Sequence, residues 1–115
     1  MFDYTKYDPD TLEYIEICSI VELSEGERLF LEVDDKQIVL FRINGDYFAV
    51  DDICSHDDGP LGEGDLEGDN IICPRHGARF DIRTGKAVSL PAVIDICAYP
   101  VRIRNNNIEI GFLKT

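Results

Sequence analysis

The chain has 115 residues and a formal net charge of −12, from 11 basic and 23 acidic side chains. This length suits a single domain with a core of its own. The excess of negative charge disfavours nucleic acid and anionic lipid as partners, and no apolar run approaches the roughly 20 residues of a membrane helix. Because residues 1–10 lack the basic and apolar regions of a secretory signal, we expect a cytoplasmic protein.

The amino-terminal third predicts a tail and two strands. Residues 1–11 mix aromatic with polar side chains and are expected to form a flexible tail, with a partner-binding arm as the alternative. Leu12–Ile17 is typical of a strand, and the Ser19-x-x-Glu22 form of a capping box indicates one helical turn after it. Alternation at Leu29–Val33 predicts the second strand.

The central part of the chain predicts a β-hairpin. Ile38–Ile43 is apolar on both faces apart from Arg42, as in a strand packed on both sides. Asn44-Gly45 separates this run from Tyr47–Val50, and both residues tolerate the positive φ of a two-residue turn. We therefore expect these two runs to pair as antiparallel strands.

Two further strands are predicted near the carboxyl end. Apolar and charged side chains alternate at Val101–Arg104 and again at Ile108–Ile110, and the asparagines at 105–107 are typical of a turn. No segment shows the sustained spacing of an amphipathic helix. The predicted fold class is all-β, an antiparallel sandwich or barrel in a single domain spanning residues 1–115.

Residues 52–91 differ from the rest of the chain. They hold six of the nine glycines and three of the five prolines, which predicts an inserted, loop-rich subdomain with a functional reason for its length. Eight acidic residues lie between Asp51 and Asp69, about twice the number that even spacing would place there. This acidity either maintains solubility or forms a docking surface for a partner with a basic face.

Both histidines of the chain lie close to a cysteine. One residue separates Cys54 from His56, two separate Cys73 from His76, and 16 residues lie between the pairs. Thiolate and imidazole are ligands of both zinc and iron–sulfur clusters, so we predict a metal centre. A zinc site commonly has two to four residues between its cysteines, whereas a binuclear iron centre can take two histidines in place of two cysteines.

This pattern resembles the Rieske [2Fe–2S] ferredoxin family. The match consists of Cys54-x-His56 and Cys73-Pro74-x-His76-Gly77, with further matching positions nearby. These further positions are Pro60-Leu61, Phe80-Asp81, Thr84-Gly85 and Pro91-Ala92. The resemblance implies a Rieske fold, with residues 52–91 as the cluster-binding subdomain on a β-sandwich or barrel base.

The resemblance also implies which residues bind the cofactor. One [2Fe–2S] cluster per chain would have Cys54 and Cys73 on its inner iron. His56 and His76 would bind the outer iron, near the surface. Pro91 would lie in a loop that covers the cluster from a third side.

A low reduction potential is a further implication. Two ferric ions, two sulfides and two thiolates give a neutral oxidised core, so one electron leaves it at −1. Similar high-potential proteins carry Ser and Tyr where this chain has Ala78 and Phe80, and a disulfide between the positions of Gly59 and Arg75. Without those hydroxyls we expect a potential near the bottom of the Rieske range, about −150 mV. A measured value well above zero would contradict this expectation.

The resemblance implies a function in electron transfer. We expect a one-electron carrier between a ferredoxin reductase and a terminal oxygenase, such as an aromatic-ring hydroxylating dioxygenase. We do not expect an enzyme, because 115 residues leave no room for the oxygenases' catalytic domain. A small subunit of an assimilatory nitrite reductase is the alternative within electron transfer. A zinc-stabilised binding module without a redox role is the alternative from another class.

For the charged residues beside the motif, two roles remain open. Arg75 and Arg79 either pair with acidic residues of the first loop or steer a partner. Asp57 and Asp58 form either a solvated loop tip or part of an acidic docking surface next to the cluster. The docking reading predicts that association with the partners slows as salt rises.

The remaining cysteines are not assigned to the metal centre. Cys18 and Cys97 lie in or beside apolar runs and are expected to be buried thiols rather than a disulfide.

We expect the protein to be a monomer.

Overall fold

The computed structural model describes residues 9–55, 58–92 and 94–113. Within these ranges the regular structure is almost entirely β, with single 3-10 turns at Pro9–Thr11 and Ile20–Glu22. The strands are β1 (Leu12–Ser19), β2 (Arg28–Val33), β3 (Lys36–Ile43), β4 (Asp46–Asp51), β5 (Leu66–Glu67), β6 (Asn70–Ile72), β7 (Arg79–Asp81), β8 (Ala87–Ser89), β9 (Ala98–Tyr99), β10 (Val101–Arg104) and β11 (Asn107–Leu113).

Three antiparallel sheets contain these strands. The strand orders are β1-β11-β10, β2-β3-β4-β9 and β5-β6-β7-β8. The first two sheets form what we call the base, and the third lies within residues 52–91, the loop-rich subdomain. The prediction of an all-β, antiparallel fold is confirmed. Among the residues that the structure describes, no helix has the length and apolar character that a membrane span requires.

The central hairpin forms at the predicted turn. Asn44 and Gly45 adopt φ values of 53° and 80°, and Ile43 pairs with Asp46. The Glu25 carboxylate accepts hydrogen bonds from the backbone N–H groups of both turn residues, at 2.5 and 2.7 Å. These bonds to the charged form lower the pKa of Glu25. The turn is thus fixed by its own sequence and by one distant side chain.

The other local predictions in the base are also confirmed. Ser19 and Glu22 form the reciprocal capping box, with the Ser19 N–H donating to Glu22 Oε2 at 2.8 Å. The carboxyl-terminal turn centres on Asn105 and Asn106, both at positive φ, while Asn107 already belongs to β11. The predicted tail at 1–11 lies largely outside the described residues.

Two groups of buried side chains form the core. One group lies within the base and includes Ile38, Leu40, Ile108 and Ile110. The other group joins base strands to the loop-rich subdomain. Its members are Val39, Phe41, Val50, Cys54, Leu61, Ile71, Cys73, Ala78, Phe80, Ile82, Ala92, Ile96 and Ala98. The subdomain is therefore anchored on the base by shared apolar packing, which fixes the position of its loops.

Residues 52–91 contain more regular structure than their composition predicts. Strands β5 to β8 are two or three residues long, too short for an alternating pattern to reveal. Their pairing leaves the two cysteine-containing loops at the ends of strands: one follows β4, and the other joins β6 to β7.

Candidate metal centre

The first cysteine-containing loop, residues 54–59, begins just after β4. The Cys54 N–H donates to the Gly59 carbonyl at 2.8 Å, and the Asp58 N–H donates to the Cys54 carbonyl at 2.8 Å. Cys54 itself is fully buried. His56 and Asp57 lie outside the described residues, so the predicted ligand role of His56 stays a prediction. The two backbone bonds bring Asp58 and Gly59 into contact with Cys54.

The second loop, residues 73–78, has the same plan. The Cys73 N–H donates to the Ala78 carbonyl at 2.7 Å, and the Gly77 N–H donates to the Cys73 carbonyl at 3.0 Å. Gly77 adopts a φ of 74°, which a residue without a side chain tolerates. Cys73 is buried, whereas His76 is exposed. The loop therefore holds its thiol inward and its imidazole at the surface.

These donors fit the cofactor that the motif predicts. Cys54 and Cys73 belong to the same buried core cluster, and neither is in a disulfide. Two buried thiols with an imidazole at the surface suit a mixed sulfur and nitrogen ligand set for iron. No group of three His, Cys, Asp or Glu side chains forms a metal site within the described ranges, but the predicted set of four includes His56.

A third segment reaches the first loop. The Ser55 hydroxyl donates a hydrogen bond to the carbonyl of Ile94, and the Ala92 N–H donates to the Ser89 carbonyl at 3.2 Å. Pro91 is partly buried in this segment, beside Leu90. The segment around Pro91 is therefore tied to the loop that carries Cys54.

Arg75 contacts both loops, which the sequence did not reveal. Its Nη1 donates to the Pro60 carbonyl at 2.6 Å, and its Nη2 lies 3.3 Å from Cys73 Sγ. The guanidinium also packs on Gly59, where an added Cβ would lie 2.7 Å from Arg75 Cζ. Arg79 pairs with Glu67 at 3.1 Å. This acidic partner lies in β5 and not in the first loop, where the pairing hypothesis had placed it.

A set of polar contacts holds the segment that follows the first loop. Asp52 Oδ1 accepts from the N–H groups of Leu61 and Gly62, at 3.0 and 2.5 Å. Arg28 Nη1 donates to the carbonyls of Gly62 and Gly64, at 2.5 and 2.7 Å. These contacts connect β2 and the end of β4 to residues 61–64, so the base fixes the backbone beside the metal centre.

Several of the clustered acidic residues have structural contacts. Asp51 accepts from the Tyr99 hydroxyl at 2.7 Å and from the Cys97 N–H at 3.2 Å. Asp69 lies 3.6 Å from Arg83. Glu67 pairs with Arg79, and Asp52 binds backbone N–H groups as described above. The acidity between positions 51 and 69 is thus partly structural. Its other described members, all exposed, are Asp58, Glu63 and Asp65.

The turn after β7 lowers the pKa of a carboxyl group, that of Asp81. Burial by itself would raise the pKa of Asp81, but the side chain and backbone N–H of Arg83 bind its carboxylate and lower the pKa overall. The Arg83 Nη2 to Asp81 Oδ2 distance is 2.9 Å. This ion pair fixes the turn after β7.

The two other cysteines lie in the base. Cys97 is buried and Cys18 is half-buried, and neither is in a disulfide. Burial, and then the nearby charge of Glu22, raises the pKa of the Cys18 thiol. The expectation of thiols rather than a disulfide is confirmed, although Cys18 is less buried than expected.

The chain is similar to proteins of known type. Residues 13–100 match the family model for the Rieske [2Fe-2S] domain. The ferredoxin component of the naphthalene 1,2-dioxygenase system of Pseudomonas putida is 37% identical over 100 residues, covering 87% of this chain and 96% of that protein.

Solved structures show the same fold. The ferredoxin of carbazole 1,9a-dioxygenase from Nocardioides aromaticivorans IC177 has a TM-score of 0.78 and 28% identity, covering 84% of this chain and 95% of that one. A chain from a complex of reduced oxygenase and oxidised ferredoxin in carbazole 1,9a-dioxygenase has a TM-score of 0.79 and 25% identity, covering 89% and 95%. Together with the family match over most of its length, these likenesses show that the chain belongs to the Rieske [2Fe-2S] domain family.

Proposed function

We propose that this protein is a one-electron carrier whose [2Fe–2S] cluster is held by Cys54, His56, Cys73 and His76. The cofactor follows from the family. The observation that carries the ligand assignment is the shared plan of the two loops. Cys54 and Cys73 are buried in one core cluster, and His76 lies at the surface of its loop. A cluster bound here supplies a site that accepts and releases one electron.

The surroundings suit transfer through one side of the molecule. The cysteine side of the centre faces the apolar core, whereas the exposed His76 leaves the other side open to a partner. Electrons would enter and leave at the histidine side. The chain itself catalyses no reaction in this scheme, in keeping with relatives that are named as ferredoxin components.

The proposed partners are a ferredoxin reductase and the terminal oxygenase of an aromatic-ring dioxygenase system. The relative from Pseudomonas putida is a component of such a system, and one of the similar solved chains comes from a complex of oxygenase and ferredoxin in carbazole 1,9a-dioxygenase. The family match disfavours the zinc-stabilised module. If the protein were instead a nitrite reductase subunit, it would contain the cluster but would not transfer electrons to a terminal oxygenase in the reconstituted system described below.

Docking is proposed on the surface around His76 and the first loop. Asp58 lies in the first loop, and the exposed Glu63 and Asp65 lie in the segment that follows it. Exposed apolar side chains are found in the adjoining segments, with Ile53 at 40%, Leu90 at 77% and Ile94 at 55% exposure. An apolar contact area surrounded by a polar rim is common in protein–protein interfaces. We therefore propose that the acids steer the partner and that the apolar residues contact it.

Three further properties complete the proposal. Residues 52–91 act as the cluster-binding subdomain of a single domain. The protein works as a monomer in this scheme: one chain supplies all four predicted ligands, so the site needs no second copy. A cytoplasmic location is supported by Cys18 and Cys97, the two cysteines outside the proposed ligand set, which form no disulfide.

The cofactor assignment can be tested on the purified protein, handled without air. We expect two irons and two acid-labile sulfides per chain, and the electron paramagnetic resonance signal of a histidine-ligated [2Fe–2S] centre after reduction with dithionite. Cys73→Ser should lose the cluster, whereas Cys18→Ser, the matched control outside the site, should retain it. One tetrahedral metal ion and no sulfide would overturn the assignment.

The docking surface can be tested in a reconstituted system of reductase, this protein and a terminal oxygenase. Replacing Asp58, Glu63 and Asp65 together by lysine should slow electron transfer about tenfold at low salt and weaken its salt dependence. The control is Glu13→Lys, an exposed acid on β1 of the base. Equal rates for the triple variant and the control would remove acidic docking from the proposal.

A further inference from the structure

Arg75 lies where the two ligand loops meet. We propose that this side chain holds the loops together without a covalent bond and that its charge raises the reduction potential of the centre. The inference rests on the proposed ligand role of Cys73.

The contact between the loops depends on a residue without a side chain. The Arg75 guanidinium packs against Gly59, with its Cζ, Nη2 and Nε only 2.7 to 2.9 Å from where a Cβ would lie. Its Nη1 then donates to the carbonyl of Pro60 at 2.6 Å. Arg75 belongs to the second loop, and the residues that it contacts follow the first cysteine. One side chain thus connects the two loops at the positions where similar high-potential proteins have a disulfide.

The same guanidinium places positive charge beside a proposed ligand. Arg75 Nη2 is 3.3 Å from Cys73 Sγ, within the range of an N–H···S hydrogen bond. One electron makes the ligated core one unit more negative, so a nearby positive charge favours the reduced state. Hydrogen bonds to ligand sulfur act in the same direction. Because Arg75 is exposed, solvent limits the size of this effect.

This contact changes the expectation drawn from the missing hydroxyls. Ala78 and Phe80 lack the hydroxyl groups that high-potential proteins have at these positions. Their absence predicts a reduction potential at the bottom of the Rieske range. Arg75 supplies a donor of another kind, and a charged one, to a sulfur of the same site. The potential should therefore lie above that of the same site without this arginine.

Three variants separate the charge from the contact. Arg75→Gln removes the charge, and Arg75→Lys keeps it but loses the planar fork that binds two groups at once. Gly59→Ala keeps the arginine but displaces it, because the new methyl group would occupy its place. Only the end of a flexible side chain has to move, so this variant should fold. Arg79→Gln is the matched control: it removes one positive charge in the same region, from a side chain that pairs with Glu67.

The main measurement is a redox titration of the cluster-loaded proteins. Arg75→Gln should lower the equilibrium constant for reduction by up to about tenfold, which is about 59 mV for a one-electron couple. Gly59→Ala should lower the potential in the same direction, and combining it with Arg75→Gln should add nothing further. Arg75→Lys should have a reduction potential close to that of the unmodified protein. Arg79→Gln should change it far less than Arg75→Gln does.

Loss of the loop contact has its own readout. With a chelator present, iron should leave Arg75→Gln, Arg75→Lys and Gly59→Ala several-fold faster than it leaves the unmodified protein. Arg79→Gln should release iron at the unmodified rate. A potential of Arg75→Gln equal to that of Arg79→Gln would overturn the charge effect, and equal iron release would overturn the contact.

The outcome also separates this inference from the proposed function. If the unmodified protein contains no histidine-ligated [2Fe–2S] centre, the proposed function fails and the inference fails with it. If that centre is present and the Arg75 and Gly59 variants match the control in both measurements, only the inference fails.

Discussion

The base and the loop-rich subdomain achieve order by different means. In the base, β1, β3 and β11 are seven or eight residues long and pair through hairpins or broad antiparallel contacts. In the subdomain, the strands have two or three residues. There, single side chains such as Asp52 and Arg28 bind backbone groups of the loops. The base depends on long paired strands, whereas the subdomain combines its share of an apolar core with individual polar contacts.

This difference has a consequence for function. A carrier needs its ligand loops in one geometry in both oxidation states, and short strands alone cannot supply that rigidity. The shared core cluster and the polar contacts from the base do so instead. Substitutions in the base should therefore change the stability of the fold alone. Substitutions in the subdomain should change both the stability and the rate at which the metal is lost.

The largest expected effects come from truncating one buried isoleucine in each region. Ile71→Ala in the subdomain and Ile110→Ala in the base should each lower the free energy of unfolding by about 2 to 5 kcal/mol, since both side chains are fully buried. Only Ile71→Ala should also speed the loss of iron, because Ile71 packs in the core cluster that contains Cys54 and Cys73. Denaturant titration and iron release with a chelator measure the two effects. Equal iron release from both variants would contradict the division between regions.

Close backbone packing in the subdomain gives the next effect. At Gly64 an added Cβ would lie 1.8 Å from the Ile72 carbonyl oxygen, so Gly64→Ala should force the backbone apart and lower stability by about 3 kcal/mol. Gly68→Ala is the control, because open space surrounds Gly68 and only its φ of 61° opposes a side chain, at about 1 kcal/mol. Thermal unfolding compares them. A larger loss for Gly68→Ala would show that turn strain matters more here than backbone contact.

The Asp52 contacts should have a smaller and local effect. Asp52→Ala leaves the N–H groups of Leu61 and Gly62 without their acceptor, which should lower stability by about 1 to 3 kcal/mol. Amide hydrogen exchange at these two positions should rise well above that of the unmodified protein. Glu63→Ala, an exposed acid in the same segment, should change neither measurement. Unchanged exchange in Asp52→Ala would show that the segment holds its shape without this carboxylate.

The smallest effect is the pH dependence of the Asp81–Arg83 pair. The folded state holds the pKa of Asp81 below its ordinary value of 3.8, so the pair contributes its full stability above that value. The contribution falls as the pH drops through the folded pKa. Asp81→Asn should therefore be less stable than the unmodified protein at pH 7, by about 1 kcal/mol, and the gap should narrow below pH 3.8. Denaturant titrations from pH 7 to pH 3 measure this, and a gap independent of pH would exclude a charge effect.

Most of the base could be predicted because its information is local. The alternation at Leu29–Val33, the turn at Asn44-Gly45 and the capping box at Ser19 each lie within one element or one turn. The Asp34-Asp35 turn was missed, although both residues adopt positive φ, because a pair of aspartates is a weaker turn signal than Asn-Gly. The strands of the subdomain were missed because two or three residues hold no period.

For the candidate site, the sequence by itself determined the donor types, their spacing and the family, because ligand chemistry restricts which residues can occupy those positions. Tertiary structure alone decided that Arg75 contacts Gly59 and Cys73, and that Asp51 and Asp52 serve the fold rather than a partner. Such contacts join residues whose neighbourhood depends on how the sheets pack. No local pattern encodes that neighbourhood, because the free energy that fixes it comes from apolar burial across the whole chain.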